Sequence, residues 1–211
     1  MPAITFDHVI TAGISLAATF RIETGALAAV IAPRQEISDL LVRLLLGISK
    51  QDSGTIEVLG VEPAEIPERE LSSLQQQIGV VTPSGGLIFN LKVWENILLP
   101  MEYHKRISQK EIEERGEAAL RAVGIGFAVY ELPGHLSLFE HRLVGQARSF
   151  AMQPALLVYN ELLGGLREED QGRLTDNALA YHRDRPKTTS LFLTALPETI
   201  RSLPFDQCIV L

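Results

Sequence analysis

The segment AVIAPRQEISDLLVRLLLG, residues 29–47, decides how the rest of the chain is interpreted. It starts inside an apolar run at 26–32 that predicts a buried strand, and it ends with apolar side chains at helical spacing from about Ile37 to Leu46. A strand, a short turn and a helix in this order are typical of nucleotide-binding proteins, which hold phosphate groups in the turn. This turn contains neither glycine nor lysine, so the sequence has the frame of a phosphate loop without its usual chemistry.

The composition is that of a folded, acidic protein. With 211 residues, of which 46% are hydrophobic, the chain is long enough to bury a core. The formal net charge is -7, and the acidic residues are spread along the chain, so we expect no binding to nucleic acid or to an anionic membrane surface. The lone cysteine, Cys208, cannot form an internal disulfide, which indicates a reducing compartment. No apolar run approaches the roughly 20 residues that span a bilayer, so we expect a soluble, cytoplasmic chain without direct membrane insertion.

Short apolar runs predict strands on both sides of the chain's middle third. Two N-terminal strands, at 3–10 and 14–22 with a turn at 11–13, precede the strand at 26–32. Continuous apolar strands that are separated by helices are typical of a parallel sheet covered on both faces. The sequence therefore predicts an α/β core made of residues 1–88 and 154–211, with its later strands in the segments SGTIEV, QIGVVTP, ALLVYNE, TTSLFLTA and QCIVL.

Only helices are predicted between these strand-rich parts. They lie at 91–104, 108–125 and 140–153. The second begins with Ser108 followed by Glu111, the spacing of a capping box, and ends at Gly124. We therefore predict a helical subdomain at 89–153 that is inserted into the α/β core.

With these elements placed, the chain resembles the nucleotide-binding (ATPase) subunit of ABC transporters over nearly its whole length. The matching segments are LVRLLLGISKQDSGTIEVLG, QQQIGVV, LKVWENILLPMEYH and FDQCIVL. The resemblance implies one ABC ATPase-like domain over 1–211, with a P-loop NTPase-like fold: a mostly parallel core, antiparallel N-terminal strands and an inserted helical subdomain. The segments ENILLP and YHKRISQKEIEER are most similar to the ATPases of bacterial MCE-linked lipid transporters.

The resemblance also assigns a phosphate loop, and each of its defining residues is replaced. The family pattern G-x-x-x-x-G-K-[S/T] supplies glycine backbone, a lysine and a magnesium-binding hydroxyl. The corresponding residues are Ala32, Ile37, Ser38 and Asp39. Ile37 disfavours the left-handed glycine conformation, and Asp39 brings negative charge to the helix N-terminus. Since losing the lysine charge alone removes roughly 4 kcal/mol at contact distance, we expect neither ATP nor magnesium here, with Ser38 or Asp39 capping the helix.

The other motifs of the family are altered in the same way. Its signature LSGGQ is LSLFE here, in which Ser137 remains while Leu138 and Phe139 replace glycines. Its strand-end Asp-Glu pair is Asn160 followed by Glu161. Glu161 holds the position of the catalytic base, but we expect it to be vestigial, because a base without metal or phosphate has nothing to act on. Three further positions, those of the glutamine, the loop aspartate and the switch histidine, hold Pro83, Arg167 and Ala195.

The resemblance further implies a surface that receives a coupling helix of a membrane subunit. Leu87, Phe89, Trp94 and Tyr103 fall in the corresponding region, and aromatic residues are favoured at interface centres. The alternative is that these side chains pack inside the helical subdomain. The five histidines show no metal-ligand spacing, so we expect no metal site.

Three functions fit this sequence. The favoured one is a non-catalytic subunit that serves as a structural or regulatory partner of an ABC permease, of an intact ATPase subunit or of a second copy, held at the inner face of the membrane by the permease. The second is an authentic ATP-binding subunit of a lipid transporter with weak ATPase activity, which requires ATP and magnesium. The third is a module that binds a cationic or polar small molecule in the old cleft, beside Arg34, Glu36, Ser38 and Asp39.

Overall fold

Runs of buried aliphatic residues form a parallel sheet where the sequence predicts it. The computed structural model describes residues 1–11, 16–104, 107–126 and 129–211. Within these ranges the sheet consists of β3 (Leu27–Ile31), β5 (Ile78–Val81), β6 (Leu156–Asn160), β7 (Thr189–Thr194) and β8 (Gln207–Val210), in the order β5-β6-β7-β3-β8. The pairs β6–β7, β3–β7 and β3–β8 are parallel. The predicted α/β class with a parallel core is confirmed.

The N-terminal strands form a separate antiparallel sheet, also as predicted. It contains β1 (Pro2–Thr11), β2 (Leu16–Glu23) and β4 (Ser53–Val58), in the order β2-β1-β4. Its register shifts after Phe6, close to His8, which has a left-handed φ of 50°. The start of the strand predicted at 14–22 and the turn at 11–13 fall partly on residues 12–15, outside the described ranges.

Helix α1 (Gln35–Leu45) follows β3 and carries the apolar face that the sequence predicts. Ile37, Leu41, Leu44 and Leu45 are buried on this face and join the core cluster of both sheets. The helix begins before the predicted start at Ile37. The earlier start brings part of the expected phosphate-loop segment into the helix.

The remaining helices are α2 (Glu68–Gln75), α3 (Val93–His104), α4 (Gln109–Val123), α5 (Leu138–Ala151) and α6 (Glu168–Asp184). The ends of α4 are confirmed: Ser108 accepts a hydrogen bond from the Glu111 N–H, and Gly124 ends the helix with a left-handed φ of 72°. Neither α2 nor α6 is predicted from the sequence. In the described part of the chain, no helix has the length and apolar character needed to cross a membrane.

The chain forms two compact units, and their bounds differ from the predicted division. The first unit is Met1–Val80, Pro154–Glu161 and Arg185–Leu211, and the second, the helical unit, is Val81–Gln153 and Leu162–Asp184. In the predicted division, residues 81–88 and 162–184 belong to the α/β core. They lie with the helical unit because α5 holds both segments: Arg142 donates hydrogen bonds to the carbonyl oxygens of Pro83 and Leu162, each at 2.8 Å. That all of 1–211 acts as one domain stays a prediction.

Replacing Gly85 with alanine should destabilise the helical unit. Gly85 has a φ of 74°, and an added Cβ would lie 2.2 Å from the carbonyl oxygen of His141. The left-handed backbone alone costs a non-glycine residue roughly 1–3 kcal/mol, and the clash adds to this cost. Urea unfolding followed by the fluorescence of Trp94, the only tryptophan, measures the change. Gly134→Ala is the matched control, because nothing lies within 4 Å of its added Cβ, and it should stay within about 0.5 kcal/mol of the parent.

Candidate functional site

The phosphate-loop positions begin directly after β3 and continue into α1. The Ala32 N–H donates a hydrogen bond to the carbonyl oxygen of Thr194, which ties the end of β3 to β7. Arg34 is the N-cap of α1, and its carbonyl oxygen accepts hydrogen bonds from the N–H groups of Ile37 and Ser38. Two backbone donors at this end are thus satisfied within the helix.

The prediction that Ser38 or Asp39 caps α1 is wrong. Both residues lie past the first turn, since the helix begins at Gln35. Among the described residues, no side chain makes a capping hydrogen bond at Arg34. Gln35 and Glu36 are good helix formers, and they extend the helix backward over positions where the family pattern has loop residues.

Ile37 stands at a position that the resemblance assigns to glycine, and it is a core residue. Its side chain is 1% exposed and packs in the cluster that both sheets share with α1. The aliphatic side chain therefore contributes to the stability of the fold as well as removing the glycine.

Glu161, at the position of the catalytic base, is held by three donors in the described part of the chain. Ser38 Oγ donates to Glu161 Oε1 at 3.0 Å, and the N–H of Ala195 donates to the same oxygen at 2.7 Å. Thr194 Oγ1 donates to Oε2 at 3.0 Å. Glu161 is 6% exposed and has a left-handed φ of 48°. The carboxylate is thus fixed by hydrogen bonds inside the first unit.

Asp39 and Asn160 form a second polar pair beside this carboxylate. Asn160 Nδ2 donates to Asp39 Oδ1 at 2.6 Å. Asn160 is buried, and its Oδ1 has no hydrogen-bond partner within the described ranges. The pair occupies the positions that the resemblance assigns to the magnesium-binding hydroxyl and aspartate. Among the described residues, no group of three or more His, Cys, Asp or Glu side chains could hold a metal ion.

The signature position in the helical unit is also closed by an internal carboxylate. Ser137 is the N-cap of α5, and its N–H and Oγ donate to Glu140 Oε2 at 2.7 and 2.8 Å. Ser137 Oγ in turn accepts from the Glu140 N–H at 3.3 Å. This is a complete capping box. This capping box is not among the predicted features, although Ser137 and Glu140 have the same spacing as Ser108 and Glu111.

Leu138 and Phe139 fill the first turn of α5 with side chains where the family has glycines. Leu138 is exposed. The guanidinium of Arg173 lies 5.0 Å from the centre of the Phe139 ring, a cation–π contact.

The three other altered positions have structural contacts of their own. The carbonyl oxygen of Pro83 accepts from Arg142, and the N–H of Ala195 binds Glu161. Arg167 donates to the carboxylate of Asp170 at 3.1 Å, and this hydrogen bond raises the pKa of the Arg167 guanidinium. Of the residues proposed for a small-ligand cleft, Arg34, Glu36 and Asp39 are exposed, whereas Ser38 is buried.

The loop before α3 is fixed from the inside and exposes apolar side chains. Asn96 is buried, and it binds both the N–H and the carbonyl oxygen of Ile88 and the carbonyl oxygens of Leu91 and Lys92. Arg148 binds the carbonyl oxygens of the two glycines at 85 and 86, and burial lowers the pKa of its guanidinium. Ile88 and its neighbour in sequence, Phe89, are exposed.

The four residues predicted to contact a partner divide into two pairs. Phe89 and Tyr103 are 64% and 78% exposed. Leu87 is buried. Trp94 is half-buried against α4, and its ring atoms lie 3.0 Å from the place that a Cβ on Gly116 would occupy. Internal packing therefore describes Leu87 and Trp94, while Phe89 and Tyr103 are accessible on the helical unit.

Known proteins include relatives that match most of this chain. A family model described as ABC transporter matches residues 40–163. The match starts just after the phosphate-loop positions. A methionine import ATP-binding protein of Paraburkholderia xenovorans is 30% identical over 214 residues, which cover 96% of this chain. The chain spans 54% of the length of that relative.

Solved structures share the fold at low sequence identity. The structure of cbiO1 from Clostridium perfringens, described as part of the ABC transporter complex cbiONQ, has a TM-score of 0.81 and 18% identity, and the match covers 99% of this chain and 84% of that one. A dimeric structure of a bacterial ABC transporter cassette has a TM-score of 0.82 and 18% identity, with 94% and 90% covered. The predicted fold type is confirmed by these neighbours.

Replacing Ile37 with alanine should destabilise the first unit by about 2–5 kcal/mol, the usual cost of truncating a buried aliphatic side chain. The physical reason is the cavity left in the core that α1 shares with the sheets. Urea unfolding followed by circular dichroism measures the change. Ile48→Ala is the matched control, because Ile48 is 60% exposed, and its effect should stay within about 0.5 kcal/mol. Equal effects of the two substitutions would contradict a structural role for Ile37.

Proposed function

The chain belongs to the ABC transporter family, and from that premise we propose that it is a non-catalytic subunit, a pseudo-ATPase with a degenerate phosphate loop. The observation that carries the proposal is the hydrogen bond from Ser38 to Glu161. It joins the residue at the lysine position to the residue at the base position. In an active subunit, the residues at these two positions would contact phosphate and activate water. Here they form a hydrogen bond with each other instead.

The state of Glu161 argues against a role as general base. A base must lie within hydrogen-bond reach of the proton that it removes. Both carboxylate oxygens of Glu161 already accept hydrogen bonds from Ser38, Thr194 and Ala195. Moving the side chain toward a water molecule would leave buried donors without an acceptor, at about 1–3 kcal/mol for each.

The charges around the start of α1 argue against phosphate and magnesium. Glu36 lies in the first turn, and Asp39 and Glu161 add two further carboxylates. A like charge at about 4 Å costs roughly 4 kcal/mol at an effective dielectric constant of 20. The side-chain oxygen of Asn160 and the Asp39 carboxylate are oxygen ligands of the kind that magnesium binds. A magnesium ion here would lack the phosphate ligands that usually complete its coordination shell. We therefore propose that neither ATP nor magnesium is a cofactor.

The signature position supports the same proposal from the other half of a composite site. In an active dimer the N-terminus of this helix would face the nucleotide of the partner subunit. Here the carboxylate of Glu140 already occupies the N-terminus of α5. The chain would thus contribute to no complete nucleotide site in a homodimer, and it would repel phosphate across the interface with an intact ATPase subunit.

A competing function is supported by one residue. Arg34 is exposed at the N-cap of α1, so an authentic ATP-binding subunit with weak ATPase activity would use Arg34 as the cation in place of lysine. This alternative requires that Arg34 outweigh the carboxylate of Glu36 in the first turn of α1 and that of Asp39 just past it.

The partners proposed for the chain follow from its family. One relative is named a methionine import ATP-binding protein. We propose that the chain joins a permease at the inner face of the membrane, with an intact ATPase subunit or a second copy as the other partner. Phe89 and Tyr103 are the proposed contacts for the permease. The likeness of the segments ENILLP and YHKRISQKEIEER to the ATPases of MCE-linked lipid transporters stays a prediction about the kind of ABC ATPase that the chain resembles.

Calorimetric titration of the purified chain with Mg-ATP, up to millimolar nucleotide, should give no saturable heat, because anionic side chains occupy the phosphate positions. A cooperative urea transition in the same buffer establishes that the sample is folded. Glu161→Gln should lower the free energy of unfolding by about 1–3 kcal/mol, because a carboxylate acceptor is lost. We expect no ATP turnover in either the parent chain or this variant.

Saturable binding would contradict the proposal. If that binding also disappears in Arg34→Gln and persists in Arg43→Gln, whose exposed arginine lies further along α1, the competing function is the correct one. ATP turnover that Glu161→Gln abolishes would lead to the same conclusion.

Phe89→Ala and Tyr103→Ala are tested separately. At least one of them should weaken association with the permease by about 2 kcal/mol or more, the cost of truncating a hot-spot residue. Recovery of the polytopic membrane subunit with the tagged chain, after detergent extraction of membranes, measures the effect. Tyr130→Ala removes another exposed aromatic side chain of the helical unit and should leave recovery unchanged. If all three variants recover as much membrane subunit as the parent chain, Phe89 and Tyr103 do not contribute to the interface.

A further inference from the structure

The residues after β7 line an open cavity of about 590 Å³ together with residues of β3 and β8, all within the first unit. This volume lies in the range of small-molecule sites. The cavity shares no lining residue with the cluster around Ser38 and Glu161. It is therefore a separate feature, and an inference about it does not depend on whether the chain binds ATP.

The floor of the cavity is apolar and built from Ile31, Ile200, Leu203 and Phe205. Ile200 is buried, and the ring of Phe205 makes an edge contact with Phe192, with 5.5 Å between centroids. These contacts attach the floor to the core of the parallel sheet.

The backbone around the floor is organised by consecutive tight turns. The Ile200 N–H donates to the Pro197 carbonyl oxygen, the Leu203 N–H donates to that of Ile200, and the Phe205 N–H donates to that of Leu203. A segment that satisfies its own backbone in this way holds its shape without a ligand. The cavity is therefore preformed, which lowers the cost of ordering on binding.

The polar rim of the cavity carries one charge of each sign. Glu198 and Arg201 both line it, and both are exposed. Neither forms an ion pair with any described residue. A preformed apolar floor with a few polar groups at its edge is the usual design of a small-molecule site, in which the polar groups fix the orientation of the ligand.

We propose that this cavity binds a zwitterionic small molecule with an apolar body. The carboxylate of the ligand pairs with Arg201, its ammonium group pairs with Glu198, and its apolar body covers Ile31, Ile200, Leu203 and Phe205. The two rim charges favour this class of ligand. An anionic ligand would leave Glu198 unpaired beside a second negative charge, and a cationic ligand would leave Arg201 unpaired beside a second positive charge.

Cys208 provides a direct measurement of occupancy. It lines the cavity, it is exposed, and it is the single cysteine of the chain. A bound ligand should therefore slow its alkylation by N-ethylmaleimide, followed by mass spectrometry of the intact chain. At a ligand concentration ten times Kd, about one molecule in eleven remains free, so alkylation should slow by about tenfold.

Three indole probes separate charge from apolar contact. L-tryptophan carries both charges, indole-3-propionate carries only the negative one, and tryptamine carries only the positive one. We expect L-tryptophan to protect Cys208 at lower concentration than the other two. Alkylation of the chain unfolded in urea should be unaffected by all three, which excludes a reaction of the probes with the reagent.

Two charge variants and one control complete the test. Arg201→Gln should weaken protection by L-tryptophan and by indole-3-propionate by about two- to fivefold, the size expected for an exposed ion pair. Glu198→Gln should do the same for L-tryptophan and tryptamine. Arg43→Gln, an exposed arginine of α1 outside the cavity, should change nothing. No protection by any probe up to 10 mM, or equal protection by all three, would overturn the proposal.

Discussion

The hydrogen bond from Ser38 to Glu161 ties the start of α1 to the ends of β6 and β7. It joins residues that are 123 positions apart in sequence, and both side chains are buried. A buried carboxylate is tolerated only when donors surround it, and Ser38, Thr194 and Ala195 supply them. If Ser38 were lost, an acceptor would remain buried with one donor fewer. This polar cluster therefore fixes the local arrangement of the helix against the strand ends without any ligand.

The same principle explains why the rest of the frame survives. In nucleotide-binding proteins a phosphate group commonly meets a helix N-terminus, because free N–H groups and the helix dipole favour negative charge there. In this chain, carboxylates of the protein supply that negative charge: Glu36 lies in the first turn of α1, and Glu140 completes the capping box of α5. Each helix thus obtains internally the stabilisation that an anion would provide. On the proposed function, the fold keeps its shape because these contacts replace the nucleotide.

How far the sequence predicts this structure depends on the range of each interaction. The strands and the helices α1, α3, α4 and α5 have a strong apolar pattern and are found where predicted. Helix α6 was missed because it is mostly polar and buries only a narrow stripe that includes Leu174, Ala178 and Tyr181. The capping box of Ser137 is a local pattern and was readable from its spacing. The contact of Ser38 with Glu161 was not, because no local pattern specifies a pairing across so many residues.

The position of Ile37 links the stability of the fold to the loss of the phosphate site. A glycine there would open a cavity in the core and add the cost of glycine within a helix, about 1 kcal/mol relative to alanine. A lysine at residue 38 would place its ammonium group beside the carboxylate of Glu161, where the two charges would pair with each other. A serine or threonine in place of Asp39 would give the Asn160 amide a neutral hydroxyl acceptor instead of the carboxylate that it now binds at 2.6 Å, and a hydrogen bond to a neutral acceptor is weaker. No single change restores a phosphate loop, and each one removes, exchanges or weakens a contact of the native structure. The replacements therefore form a mutually dependent set, in which packing at Ile37 and hydrogen bonding at Ser38 and Asp39 favour the same closed arrangement.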